Sequence, residues 1–155
     1  MKNLVQHIQE KLVIKKDKGP KHTLFPKTKE ELEKMIDSEI EKNGNECSLN
    51  HIDVSKITNM AKLFYRSDFN GDISGWDVSN VENMEAMFMV SAFTGENGDI
   101  SGWDVSNVKD MWGMFNRSKF SGDISDWDVS GLTIISSNIF WDCPLQNNPP
   151  KWFKK

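Results

Sequence analysis

A ten-residue string, GDISGWDVSN, occurs twice without change, at 71–80 and 98–107, and returns as GDISDWDVSG at 122–131. The Asp before Val-Ser falls at 53, 77, 104 and 128, in steps of 24, 27 and 24 residues. The long step comes from three extra residues near Gly95-Glu96-Asn97-Gly98. A fixed period with constant apolar positions marks a chain that stacks successive copies of one unit. The first rungs are Leu49, Ile73, Ile100 and Ile124, then Ile52, Trp76, Trp103 and Trp127. Val54, Val78, Val105 and Val129 follow, then Ile57, Val81, Val108 and Leu132. Met60, Met84, Met111 and Ile135 precede Leu63-Phe64, Met87-Phe88 and Met114-Phe115, and Phe69, Phe93 and Phe120 close the unit.

The Ile-x-x-Trp-x-Val stretch reads as β-like, and stacked copies would form a short parallel sheet at ~4.8 Å per repeat. Asn-Met-x-x-Met-Phe has the i, i+3, i+4 spacing of a helix, with Asn59, Asn83 and Asp110 as caps. These patterns predict an α/β solenoid, with a parallel sheet on one side and short helices on the other.

Three regions are expected. Residues 1–27 form a basic leader and linker, 28–44 a capping helix, and 45–155 the repeats with a degenerate end at 133–152. In the leader, Leu4, Ile8 and Leu12 with Val5 and Val13 make a narrow stripe, too short for a stable isolated helix. A Lys-rich stretch with Gly19-Pro20 follows, so the leader is expected to be mobile, or docked only on a partner. Thr28 and Glu31 form a capping box. Leu32, Met35, Ile36 and Ile40 share one face of the helix, and Asn43-Gly44 ends it.

Charge divides the chain. Residues 1–29 hold eight lysines against two acids, and residues 30–155 hold eleven basic residues against twenty-one acids. An acidic body is the wrong sign for gripping phosphate, so no nucleic-acid partner is expected. Cys47 and Cys143 lie near opposite ends of the repeats, too far apart for a disulfide's Cα separation of ~4.4–6.8 Å, and read as free thiols. No signal-peptide core or membrane-spanning run is present, so a cytoplasmic or within-particle location is expected. Asn116-Arg117-Ser118 has the form of a glycosylation sequon and, with no secretory signal, reads as coincidence.

The motif GDISxWDVSNVxNMxxMF resembles the repeat of the BspA-like bacterial surface proteins, a leucine-rich-repeat-like domain also found in mycoplasma lipoproteins. The match covers residues 48–132. It implies a right-handed solenoid of leucine-rich-repeat-like coils that binds other macromolecules, with no catalytic residues to carry over. Two departures stand out: no secretion or anchoring signal, and only four repeats where adhesins have long arrays. The opening MKNLVQHIQEKLVI also resembles short leaders on Bacteroides-group and phage proteins.

The Asp ladders, Asp53/Asp77/Asp104/Asp128 and Asp72/Asp99/Asp123, could in principle hold Ca²⁺. The simpler reading pairs each with nearby turn amides. Asp68-Phe-Asn-Gly-Asp72 lacks the glycine and the closing Glu of a calcium loop. His7, His22 and His51 have no ligand partners at metal spacing. No catalytic motif occurs, and no metal or cofactor is expected.

Residues that differ between repeats carry partner choice, and these are 61, 65–66, 85, 89–90, 112 and 116–117. Among them Tyr65, Arg66, Met89, Trp112 and Arg117 are the expected protein-binding residues, aromatic anchors with Arg at the rim. The predicted function is a non-catalytic protein-binding module. Its partner is another protein, with a small molecule disfavoured. A structural component of a larger particle, phage-borne and assembled through the leader, is the alternative, and an Asp-dependent hydrolase a third.

Overall fold

Thr28 and Gly44 delimit the α-helix of the described residues. The computed structural model describes residues 21–133 and 136–154, so the leader's apolar stripe and Ile135 lie outside it. Helix α1 spans Lys29–Asn43. Thr28 Oγ1 accepts the Glu31 amide at 3.2 Å, and the Glu31 carboxylate reaches back to the Lys27 amide at 2.7 Å. Each member of the box thus ties down a backbone donor. Gly44, at φ 83°, donates its N–H to the Ile40 carbonyl at 2.8 Å and stops the helix. Leu32 and Ile36 are buried in the core, with Met35 and Ile40 packed half-buried beside them.

Upstream of α1 the chain already lies along the first repeat. The Thr23 amide donates to the His51 carbonyl at 2.9 Å and the Asp53 amide to the Leu24 carbonyl at 2.9 Å. A parallel bridge joins Leu24 to Ile52.

The apolar rungs gather into one core. All those described are buried except Leu63, Val129 and Leu132, which are half-buried against it. Two columns of stacked rings run through the repeats. Phe64, Phe88, Phe115 and Phe140 follow one another at centroid spacings of 5.5, 5.6 and 6.0 Å. Phe69, Phe93 and Phe120 do so at 6.5 and 6.0 Å.

The α/β solenoid with a sheet and helices is not what forms, nor are leucine-rich-repeat-like coils. Among the described residues there is no sheet, only isolated parallel bridges such as Ser48–Asp72, Asn59–Asn83 and Asn83–Asp110. Outside α1, the only helical element described is the 3-10 turn Pro144–Gln146. The repeats are chains of tight turns instead.

Two physical features exclude the helix. Lys62, Arg66, Ala86, Val90, Gly113 and Arg117 all sit at φ between 51° and 62°, so a left-handed residue interrupts each stretch every fourth position. The amides also alternate. Met60, Lys62, Phe64 and Arg66 donate across to Asn83, Glu85, Met87 and Met89 at 2.8–3.0 Å, while Leu63, Tyr65 and Ser67 donate back to Met60, Lys62 and Phe64. Met84, Ala86, Phe88 and Val90 repeat the pattern onto Asp110, Trp112, Met114 and Asn116. Half the donors that a helix would keep to itself go to the neighbouring repeat.

The β-like stretch fails for a related reason. The Trp76, Trp103 and Trp127 amides turn back to Ile73, Ile100 and Ile124 at 3.1–3.3 Å rather than entering a ladder. The indole N–H supplies the cross-repeat bond in their place. Trp76 donates to Leu49 O, Trp103 to Ile73 O and Trp127 to Ile100 O, at 2.9, 3.3 and 3.1 Å. Trp152 continues the series onto Ile124 O at 2.8 Å, so a tryptophan in the degenerate end completes the rung. The repeats approach closely here. A Cβ on Gly71 would lie 1.9 Å from the Cys47 carbonyl oxygen.

Candidate functional site

The Asp-Ser half of each repeat is chemically occupied. Asp77 and Asp104 each accept both the amide and the hydroxyl of the serine two residues on, the hydroxyl at 2.6 Å. Asp53 and Asp128 accept the amides of Ser55 and Ser130 at 3.0 Å. In the second ladder, Asp72, Asp99 and Asp123 do the same for Ser74, Ser101 and Ser125 at 2.8–2.9 Å. The Ser106 and Ser130 hydroxyls, then their amides, hold Asp104 and Asp128 below the usual carboxylate range. These carboxylates are turn acceptors. Among the described residues no cluster of three or more His, Cys, Asp or Glu is arranged to hold a metal. Cys47 and Cys143 are free thiols, and burial pushes both above the usual thiol value, which leaves them weak nucleophiles.

The Met-Phe half is different. Its turns are 61–66, 85–90, 112–117 and 137–142, and equivalent positions sit in register through the cross-repeat bonds. Asn59, Asn83 and Asp110 fasten each turn by accepting the amides of Ala61, Glu85 and Trp112 at 2.8–2.9 Å. The third and fourth positions of each turn carry Phe and its Leu, Met or Ile neighbour inward. The first, second, fifth and sixth differ from turn to turn.

Tyr65 and Met89 share the fifth position, as the Arg66 amide bonded to the Met89 carbonyl at 3.0 Å requires. The Arg66 guanidinium lies over the Tyr65 ring, 5.2 Å from its centroid, a cation–π contact. Trp112 occupies the first position and is 41% exposed. The Met89 sulfur lies 3.8 Å from where a Cβ on Gly113, the residue after Trp112, would stand. In the third repeat the fifth position falls to Asn116, which is buried and donates from Nδ2 to Asn138 O at 3.2 Å. Arg117 is exposed, with Nε 3.8 Å from the Asp142 carboxylate.

One residue of this face escapes the sequence pattern. Trp141 takes the fifth position of the last turn, is 54% exposed, and accepts the Arg117 amide at 2.8 Å. The signal that locates it is Ile139-Phe140, which aligns with Leu63-Phe64 and fixes the register.

A buried, repeated framework with a variable turn face defines a tandem-repeat protein whose units are stacked turns. The chain belongs to the family described as Mycoplasma protein of unknown function, DUF285, which matches residues 30–152. No curated protein and no solved structure matches it. Among the described residues no helix is long and apolar enough to cross a membrane.

Proposed function

We propose that this chain is a non-catalytic protein-binding repeat module, related to the BspA-like surface repeats, that takes its partner on the Met-Phe turn face. One observation carries the reading. Of the four large apolar side chains exposed among the described residues, Tyr65, Trp112 and Trp141 all lie on that face and Phe25 alone lies elsewhere. Exposed aromatics beside Arg66 and Arg117 match the residue types in which protein interfaces are enriched. The Asp ladders, each carboxylate holding a turn amide, favour binding over acid–base chemistry.

The test is affinity capture on the wild-type chain and on Trp112→Ala and Trp141→Ala, followed by mass spectrometry. Proteins bound by the wild type should be released by either change, each weakening binding by ~2 kcal/mol or more. Equal capture by all three chains would refute the assignment. So would recovery only as a stoichiometric part of a large assembly that both variants still join.

A further inference from the structure

Beyond the turn face, and independent of it, the outer side of α1 holds a groove of about 250 Å³ whose apolar walls are Leu24 and Met35, with Glu31, Lys34, Ser38, Glu39 and Lys42 around them. Leu24 and Met35 are half-buried, each with one side packed on the core and the other toward the groove. We propose that this groove is the docking site of the chain's own N-terminal segment, residues 3–13. The sequence pattern left that segment awaiting a partner; the groove supplies one within the same molecule.

Connectivity comes first. Residues 1–20 lead directly into Lys21, and Leu24, a wall of the groove, follows three residues later. The seven residues 14–20 can span roughly 24 Å when extended. Helix α1, with its 15 residues, is about 22 Å long. A linker of that reach, anchored three residues before a wall of the groove, is long enough to lay residue 13 against α1.

Pattern and charge agree with this. Leu4, Ile8 and Leu12 are four apart, a stripe about 12 Å long on a helix, which is too little to fold unaided but fits a short apolar groove. Residues 1–20 carry five lysines against two acids, and α1 carries three lysines against six acids. Opposite charge steers the two together, and apolar contact with Leu24 and Met35 fixes the register.

Hydrogen exchange on the full chain tests the proposal. The amides of residues 6–12 should exchange at least about tenfold more slowly than the intrinsic rate for their sequence, equally at two protein concentrations about tenfold apart. Met35→Asp should abolish that protection. Ile8→Asp, which leaves α1 unaltered, should abolish it too, while amides around Trp103 stay unchanged in both. Exchange at the intrinsic rate in the wild type would overturn the proposal. Protection that rises with concentration would assign the groove to a second copy, and protection surviving both substitutions would place the segment elsewhere.

Discussion

The Asp-Ser half of each repeat and its Met-Phe half bury apolar rungs of similar bulk, yet they spend their polar groups differently. In the first, side chains make many of the bonds: aspartates take serine amides, and indole N–H groups bridge repeats. In the second, the backbone joins the repeats, through amides that alternate between neighbour and self. A half fastened by side chains tolerates little change, and GDISxWDVS accordingly recurs almost unaltered. A half fastened by backbone leaves its outward side chains free to differ. Tyr65, Met89 and Trp112 stand where that freedom is greatest.

The largest effect should come from breaking what both halves share, the ring columns. Phe88 stacks on Phe64, Phe93 and Phe115 and is fully buried. Phe88→Ala should destabilise by ~3–5 kcal/mol through lost contacts and the cavity left behind. Denaturant titration measures this, and a cost below about 1 kcal/mol would mean the columns do not carry the core. Next is close approach in the Asp-Ser half. A Cβ on Gly98 would stand 2.9 Å from the Gly71 carbonyl oxygen, so Gly98→Ala should cost ~1–3 kcal/mol by overpacking. An unchanged midpoint would show that the repeats are less tightly apposed.

Acid should act on the Asp-Ser half more gently. Asp104, Asp128 and Asp53 are held low by serine hydroxyls first and amides second, Asp99 and Asp123 by amides first. A carboxyl depressed in the fold stabilises it above the unfolded value of about 3.9, and that contribution is lost as pH falls through the folded value. Melting temperature should therefore hold between about pH 7 and 5 and fall below about pH 4. A flat profile down to about pH 2.5 would show that the Asp–Ser bonds contribute nothing to stability.

The core was legible in the sequence because repetition printed each rung several times. Leu49, Ile73, Ile100 and Ile124 all proved buried, and the helix ends fell at Thr28 and Gly44, where local capping chemistry put them. Secondary structure inside the repeats was not legible. The spacing Met84-Met87-Phe88 is shared by a helix and by two linked turns, and what separates them is the left-handed conformation at Ala86 and Val90. Neither residue type announces that conformation, and only Gly113 hints at it. The turn acceptors were better markers. Asp72, Asp77 and Asn83 each have their bonded amide two residues ahead, a turn signal recurring every five or six residues. The candidate face was half legible. Tyr65, Met89 and Trp112 broke repeat symmetry, whereas Trp141 lay in a degenerate repeat with little symmetry to break.

The most direct test melts two tryptophan variants side by side. Trp103 is 5% exposed and bonded through Nε1 to the preceding repeat, whereas Trp112 is 41% exposed on the variable face. Trp103→Ala should lose ~3–5 kcal/mol, enough to threaten a fold of ordinary stability. Trp112→Ala should stay within about 0.5 kcal/mol of the wild type. Equal losses from the two, or a larger loss from Trp112→Ala, would contradict the division of each repeat into inward rungs that hold the fold and an outward turn face that does not.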